Sequence, residues 1–145
     1  MRKNWILFGL LLLCLLPMSC SRKEYQWRGI AKFSNQEVEY FQGLPFTVVS
    51  GNSTLTEPFS VHERKLQVFC AASSSDVGSD GSLVIDLYHY PDMKFVKTAV
   101  DDDWTQGEFT DVMKYLCFAS VEKGMYCLYV SNSHVNWGVT VSESV

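Results

Sequence analysis

The chain has 145 residues, of which 47% are hydrophobic and 19% are charged. This length is typical of one domain, and the composition excludes an intrinsically disordered chain. The net charge of −4 provides no positive surface for a phosphate backbone, so we expect no nucleic-acid partner.

The N-terminal segment has the pattern of an export signal. Arg2 and Lys3 precede a run of 12 apolar residues, from Trp5 to Leu16, that carries no charge. A membrane-spanning helix needs about 20 apolar residues, whereas the apolar part of a signal peptide has roughly 7–15. The sequence therefore predicts that residues 1–19 are a signal peptide that is removed from the mature protein.

The end of this run, Leu15-Leu16-Pro17-Met18-Ser19-Cys20, resembles the signal of bacterial lipoproteins. The resemblance implies that a lipoprotein signal peptidase cuts after Ser19 and that Cys20 carries the lipid. Several acyl chains on one cysteine would hold the protein on a membrane of the cell envelope, facing the periplasm or the exterior. The alternative is an ordinary signal-peptidase cut after Ser21, which would discard Cys20 and release a secreted protein.

Residues 20–43 are polar and mixed in charge, and we expect them to form the lipid attachment and a tether. Within them, Ser34-Asn35-Gln36-Glu37 matches a capping box, and Gly43 is suited to end a short helix. The stretch also alternates at Val38 and Tyr40, so a strand is the alternative.

Residues 44–145 have the pattern of an all-β domain. Short runs rich in Val, Phe, Tyr, Thr and Leu alternate with turns rich in Gly, Ser, Asp and Asn. Short strands at even spacing predict an antiparallel β-sandwich of jelly-roll or immunoglobulin-like type. Pro58 interrupts the second run and makes it an edge strand or a bulge. The eight predicted strands are Pro45–Ser50, Leu55–Val61, Lys65–Ala71, Ser82–Tyr90, Lys94–Val100, Val112–Ser120, Met125–Ser131 and Trp137–Ser142.

Three of the five cysteines remain after export and acylation: Cys70, Cys117 and Cys127. Cys117 and Cys127 flank a predicted hairpin turn, so they are a candidate disulfide between adjacent strands. The alternative is that all three are small buried thiols, which is the usual state of free cysteine.

Two acidic segments form the candidate metal site. Asp101, Asp102 and Asp103 are consecutive, and Asp76 and Asp80 lie in a second acidic loop. Calcium binds about 6–8 oxygen ligands, which are largely carboxylates and carbonyls. Neither segment has the full pattern of a calcium loop, so solvated loops are the favoured interpretation. We expect no cofactor, and calcium is the alternative.

Three aromatic residues are candidates for ligand binding: Tyr88 and Tyr90 at the end of a predicted strand, and Trp104 after the acidic run. Aromatic side chains on a sandwich can stack on sugar rings or anchor a partner protein. The alternative is that these aromatic side chains pack in the core, as Trp and Tyr usually do, and for Trp104 the two interpretations stay open. Trp137 is expected to lie in the core, because it shares a strand face with Val139.

The sequence contains no catalytic motif. It lacks the G-x-S-x-G, H-E-x-x-H and C-x-x-C patterns and has no phosphate loop, so we expect no enzyme. Location and scaffold favour a recognition module that binds a protein, a glycan or another envelope component. The alternatives are a structural accessory subunit of an envelope assembly and a small secreted hydrolase or inhibitor.

Overall fold

A computed structural model describes residues 26–36, 46–106 and 111–145 of the chain. Every regular element in these ranges is a β-strand. The ten strands are β1 (Trp27–Ser34), β2 (Thr47–Val48), β3 (Ser53–Leu55), β4 (Phe59–Val61), β5 (Lys65–Ser74), β6 (Gly81–Tyr90), β7 (Lys94–Trp104), β8 (Met113–Ser120), β9 (Gly124–Ser133) and β10 (Val135–Ser144).

The strands form two sheets. Sheet I has the order β2-β1-β10-β5-β8, and sheet II has the order β3-β9-β6-β7, with β4 also paired to β9. Neighbouring strands are antiparallel except for β1 and β2, which are parallel. The expected all-β, antiparallel sandwich is therefore confirmed.

The core is built by the two-residue alternation of the strands. On β10, Val135, Trp137, Val139 and Val141 are buried, and the residues between them are half-buried on the outer side of sheet I. Each such side chain contributes about 1.5–3 kcal/mol of transfer free energy when it is fully buried. The same alternation on β5, β6 and β9 buries Leu66, Val68, Cys70, Ala72, Leu83, Ile85, Leu87, Tyr126, Leu128 and Val130.

The sandwich begins earlier than predicted. The strand β1 lies within the segment expected to be a tether, residues 20–43, and it pairs with β10 from Trp27 to Ser34. A shift in register between Gly29 and Ala31 interrupts the alternation of β1, because an extra residue turns the following side chains to the other face. The pattern of this strand is therefore not visible in the sequence.

Asn35 follows the last residue of β1, and its side chain continues the hydrogen bonding between β1 and β10. Its Oδ1 accepts a hydrogen bond from Trp137 N at 2.9 Å, and its Nδ2 donates to Val135 O at 2.7 Å. The helix proposed from the capping box runs into residues 37–43, which lie outside the described residues. The predicted signal peptide and Cys20 lie outside them as well.

The bounds of most predicted strands shift by a few residues in the structure, and two of the differences have a specific physical cause. The run Leu55–Val61 is divided into β3 and β4, which flank Pro58 on the same edge of β9, as the missing N–H of proline requires. The strand that was expected to end at Val100 continues to Trp104. It continues because Asp101, Asp102 and Asp103 pair with β6, although aspartate is rare in strands.

The proposed disulfide is wrong. Strands β8 and β9 are not a hairpin: β8 pairs with β5 in sheet I, and β9 pairs with β6 in sheet II. Cys117 and Cys127 therefore lie in different sheets, and both are free thiols, as is Cys70. The alternative interpretation, three unpaired thiols, holds for these residues, although Cys117 is only half-buried.

Candidate functional site

The outer side of sheet II carries an exposed apolar surface. Tyr88 and Tyr90 lie at outward positions of β6, with Phe95 beside Tyr88 on β7 and Tyr129 beside Leu55 at the other edge. The exposed fractions are 54% for Phe95, 47% for Leu55, 37% for Tyr129 and 36% for Tyr90. We call these five residues the aromatic face. Of the two tyrosines proposed from the sequence as ligand-binding residues, Tyr90 is exposed and Tyr88 is half-buried.

Contacts within the strands and the β6–β7 turn hold this face in place. The rings of Tyr88 and Phe95 pack edge to face, with centroids 5.8 Å apart. Met93, at a φ of 56° in the turn, places its sulfur 3.8 Å from the thiol of Cys127. Cys127 points outward on β9 and yet is fully buried, so burial raises the pKa of its thiol.

The turn is further ordered by a side-chain hydrogen bond. His89 Nδ1 lies 2.6 Å from Asp92 Oδ1. This hydrogen bond holds the pKa of the Asp92 carboxyl below its ordinary value. The aromatic face therefore ends in a turn whose position is set by side-chain contacts.

The opposite end of the same outer surface is acidic. Asp86, Asp101 and Asp103 occupy outward positions on β6 and β7, beside Thr98, Val84 and Ser82 respectively. Thr98 donates its hydroxyl to Asp86 Oδ1 at 2.7 Å. No Lys or Arg occupies an outward strand position of sheet II in the described part of the chain. We call these three carboxylates the acidic end of the aromatic face.

The consecutive aspartates do not form a common ligand set. Strand alternation turns Asp102 to the other side of sheet II, where its Oδ2 accepts a hydrogen bond from the Tyr115 hydroxyl at 2.9 Å. The pKa of Tyr115 is raised above its ordinary value. The larger cause is the burial of its hydroxyl, and the smaller one is the hydrogen bond that it donates to Asp102. Asp102 thus links β7 to β8, at the side of the sandwich where the two sheets meet.

The second acidic segment is satisfied within its own loop. Asp76 accepts hydrogen bonds from Gly78 N at 3.0 Å and from the Ser79 hydroxyl at 2.8 Å, and these lower the pKa of its carboxyl. Asp80 accepts the N–H of Gln106 at 2.8 Å. Among residues 26–36, 46–106 and 111–145, no three His, Cys, Asp or Glu side chains are grouped as metal ligands. The structure therefore does not bring together the residues proposed for calcium.

The structure places Trp104 in the core, so the alternative interpretation of this residue holds. Its side chain is 8% exposed, because it ends β7 at an inward position opposite Gly81. Its ring packs against Tyr115 with centroids 6.4 Å apart. Trp104 is a core residue, and Trp137 is buried as expected, at 3% exposure.

The outer side of sheet I has a different chemistry. A groove of about 370 Å³ lies over Gly138 and Ala71, between the rings of Phe46 and Phe69. Lys32 lines this groove and places its ammonium group 4.3 Å from the centroid of Phe46. The small residues on β10 and β5 leave room for the groove, since larger side chains there would fill it.

A buried carboxylate closes one end of the core. Glu143 is fully buried, at an inward position of β10. Its Oε2 accepts hydrogen bonds from His62 N at 2.8 Å and Glu63 N at 3.1 Å, and its Oε1 pairs with the guanidinium of Arg28. Burial alone would raise the pKa of Glu143, but the hydrogen bonds from Arg28, His62 and Glu63 outweigh it and lower the pKa. A carboxylate with so many partners is suited to a structural role.

The sequence interpretation missed Leu55, Phe95 and Tyr129 as members of the aromatic face. A signal was present, since both faces of the β9 sequence are apolar. Such a strand is either central or covered on its outer face, and the structure shows that β9 is central.

The described ranges contain no helix of sufficient length and hydrophobicity to cross a bilayer. No protein family, curated protein or solved structure matches this chain.

Proposed function

We propose that the protein is a lipid-anchored recognition module of the bacterial cell envelope, and that its aromatic face binds a partner protein. The observation that carries this proposal is the exposure of Phe95, Leu55, Tyr129 and Tyr90 on one sheet surface. Contiguous apolar surface is uncommon on a monomer and is typical of interaction sites. Tyr and Phe are also enriched at the centres of protein interfaces.

The charges around this face suggest what the partner carries. Asp86 lies beside Tyr129, and Asp101 and Asp103 lie further along the same surface. Among the described strand residues of sheet II, no Lys or Arg occupies an outward position. A partner with a basic rim beside an apolar patch would complement the three aspartates, and their carboxylates would steer its approach. We therefore expect the affinity to fall as the salt concentration rises.

The lipid anchor rests on the resemblance of residues 15–20 to a lipoprotein signal. A Cys20→Ala variant should move from the detergent phase to the aqueous phase, because it cannot be acylated. Mass spectrometry of the mature N-terminus provides the direct measurement. An unmodified Cys20, or an unchanged partition of the variant, would contradict the anchor.

The aromatic face is tested by photo-crosslinking in living cells with the full chain. A photoreactive amino acid replaces Phe95 and, in the matched control, Val77, which is an apolar loop residue with 69% exposure. We expect one adduct of defined mass from position 95, no such adduct from position 77, and a weaker adduct when Tyr129→Asp is added. Equal labelling from both positions, or no adduct from either, would refute the proposed site.

A glycan partner is a separate outcome of the same experiment. An adduct whose added mass is removed by glycosidases would assign the face to a glycan, since aromatic rings can also stack on sugars.

A structural accessory subunit is the second candidate function. Exposed apolar side chains occur on both outer surfaces, including Phe69, Leu116 and Phe118 on sheet I. A subunit of this kind would co-purify with its assembly at fixed stoichiometry and without dependence on salt. A recognition module would instead bind its partner reversibly and lose it as the salt concentration rises.

A further inference from the structure

We propose that the outer side of sheet I lies on the anionic lipid surface of the membrane to which the chain is anchored. This inference rests on the proposed lipid anchor and adds an orientation: the sandwich lies on sheet I and directs the aromatic face of sheet II away from the lipid.

The outer surface of sheet I combines apolar and basic side chains with uncharged polar ones such as Gln67 and Thr140. Phe69, Leu116 and Phe118 are 39%, 52% and 51% exposed. Lys32 and Lys114 occupy outward positions on β1 and β8, at opposite sides of the sheet. We call these five residues the basic face. In the described part of the chain, no Asp or Glu occupies an outward position on the strands of sheet I.

The two outer surfaces therefore carry opposite charge. The acidic end of sheet II has Asp86, Asp101 and Asp103, and the basic face of sheet I has Lys32 and Lys114. Because the sheets lie back to back, this separation gives the sandwich an electrostatic direction. An anionic lipid surface attracts the basic face and repels the acidic end, so it selects one of the two orientations.

The chain also enters the fold on this side. Trp27 begins β1 at an outward position, and its ring packs against Phe118 with centroids 5.6 Å apart. Tryptophan and lysine are the side chains that favour the boundary between lipid and water. The groove beside Lys32 and Phe46 opens on the same surface.

The tether limits the distance from the lipid. Cys20 precedes Trp27 by seven residues, and an extended chain spans at most about 3.5 Å per residue, or about 25 Å here. Arg22, Lys23 and Glu24 give the tether a net charge of +1 near the anchor. An anchored domain has a high effective concentration at the surface, so a weak attraction is enough to orient it.

The test uses the fluorescence of Trp27. Trp104 and Trp137 are 8% and 3% exposed, which leaves Trp27, half-buried, as the accessible tryptophan of the described residues. The full chain is expressed, and the processed protein is purified from membranes. It is reconstituted into vesicles of equal parts phosphatidylglycerol and phosphatidylcholine, whose acyl chains are brominated. We expect the lipid to quench the accessible fluorescence at least twofold, and we expect Trp27→Phe to abolish this change.

Charge-reversal variants test the orientation. Lys32→Glu combined with Lys114→Glu should remove most of the quenching while the protein still sediments with the vesicles. The matched control, Lys94→Glu combined with Lys123→Glu, makes the same change in net charge at exposed positions outside the basic face and should keep the quenching. Equal behaviour of the two double variants, or an unquenched Trp27 in the wild type, would overturn the proposal.

The same samples separate this inference from the anchor. If mass spectrometry finds the lipid and Trp27 is unquenched, the orientation is wrong and the anchor stands. If Cys20 is unmodified and charge-dependent quenching persists on added vesicles, the basic face binds lipid without the anchor.

Discussion

The carboxylate of Glu143 and the guanidinium of Arg28 face each other across β10 and β1, at the end of the core. Glu143 is fully buried, whereas the Arg28 side chain is 56% exposed. The carboxylate also binds the backbone N–H groups of His62 and Glu63, which connect β4 to β5. The side chain of Glu143 therefore connects β1 and β10, two neighbouring strands of sheet I, to the turn between β4 of sheet II and β5 of sheet I.

Replacing Glu143 with alanine should destabilise the fold by about 1–3 kcal/mol, because the N–H groups of His62 and Glu63 lose their acceptor. Urea unfolding measures the effect. Glu143→Gln keeps an acceptor of the same shape and should cost less. The structural role is wrong if Glu143→Ala is as stable as the wild type.

The stability should also depend on the ionisation of Glu143. Folding lowers its pKa from the ordinary value of 4.5, so below that pH the unfolded state binds more protons than the folded state. The contribution of Glu143 to the free energy of unfolding is complete above about pH 4.5. It is lost as the pH falls through the lower pKa that Glu143 has in the folded state. Asp76 and Asp92 also have lowered pKa values, so the wild type must be compared with Glu143→Gln.

The measurement is the difference in unfolding free energy between the two proteins from about pH 6 to about pH 3. We expect this difference to shrink as the pH falls. A difference that stays constant over the range would show that folding does not shift the pKa of Glu143.

Met93 should control the reactivity of Cys127. The side chain of Met93 covers the thiol, so Met93→Ala should increase alkylation of Cys127 several-fold at neutral pH, because access and the thiolate fraction both rise. Met113→Ala is the matched control, since Met113 has nearly the same exposure on the other sheet.

Peptide mapping without reduction checks the thiols themselves. We expect no bridge between Cys117 and Cys127. Cys70, whose pKa burial raises to about 12, should stay unlabelled in the folded protein. An intact bridge or rapid labelling of Cys70 would contradict the structure.

Trp104 and Leu55 should differ in their effect on stability. Trp104→Ala removes a buried ring from the core and should cost about 3–5 kcal/mol. Leu55 is 47% exposed, so Leu55→Ala should change stability by less than about 1 kcal/mol. Thermal or urea unfolding gives both values, and similar losses would mean that Trp104 is exposed in solution.

The candidate site was only partly visible in the sequence. Tyr88 and Tyr90 were identified because they end a clearly alternating strand. Phe95 and Tyr129 were missed because their exposure depends on which strands lie beside β7 and β9. The interpretation of Asp101 to Asp103 as a loop failed because pairing with β6 outweighs the low strand propensity of aspartate.

The sequence by itself determined the fold class, because the alternation of apolar and polar residues is a local property that each strand carries in its own residues. It also determined which residues of β6 and β10 are inside. Tertiary structure decided which strands are neighbours: it placed β8 and β9 in different sheets, brought β1 into sheet I and closed the core with Glu143 and Arg28. Strand pairing joins residues that are far apart in the chain, so neither the thiol state nor the two outer surfaces follow from any single segment.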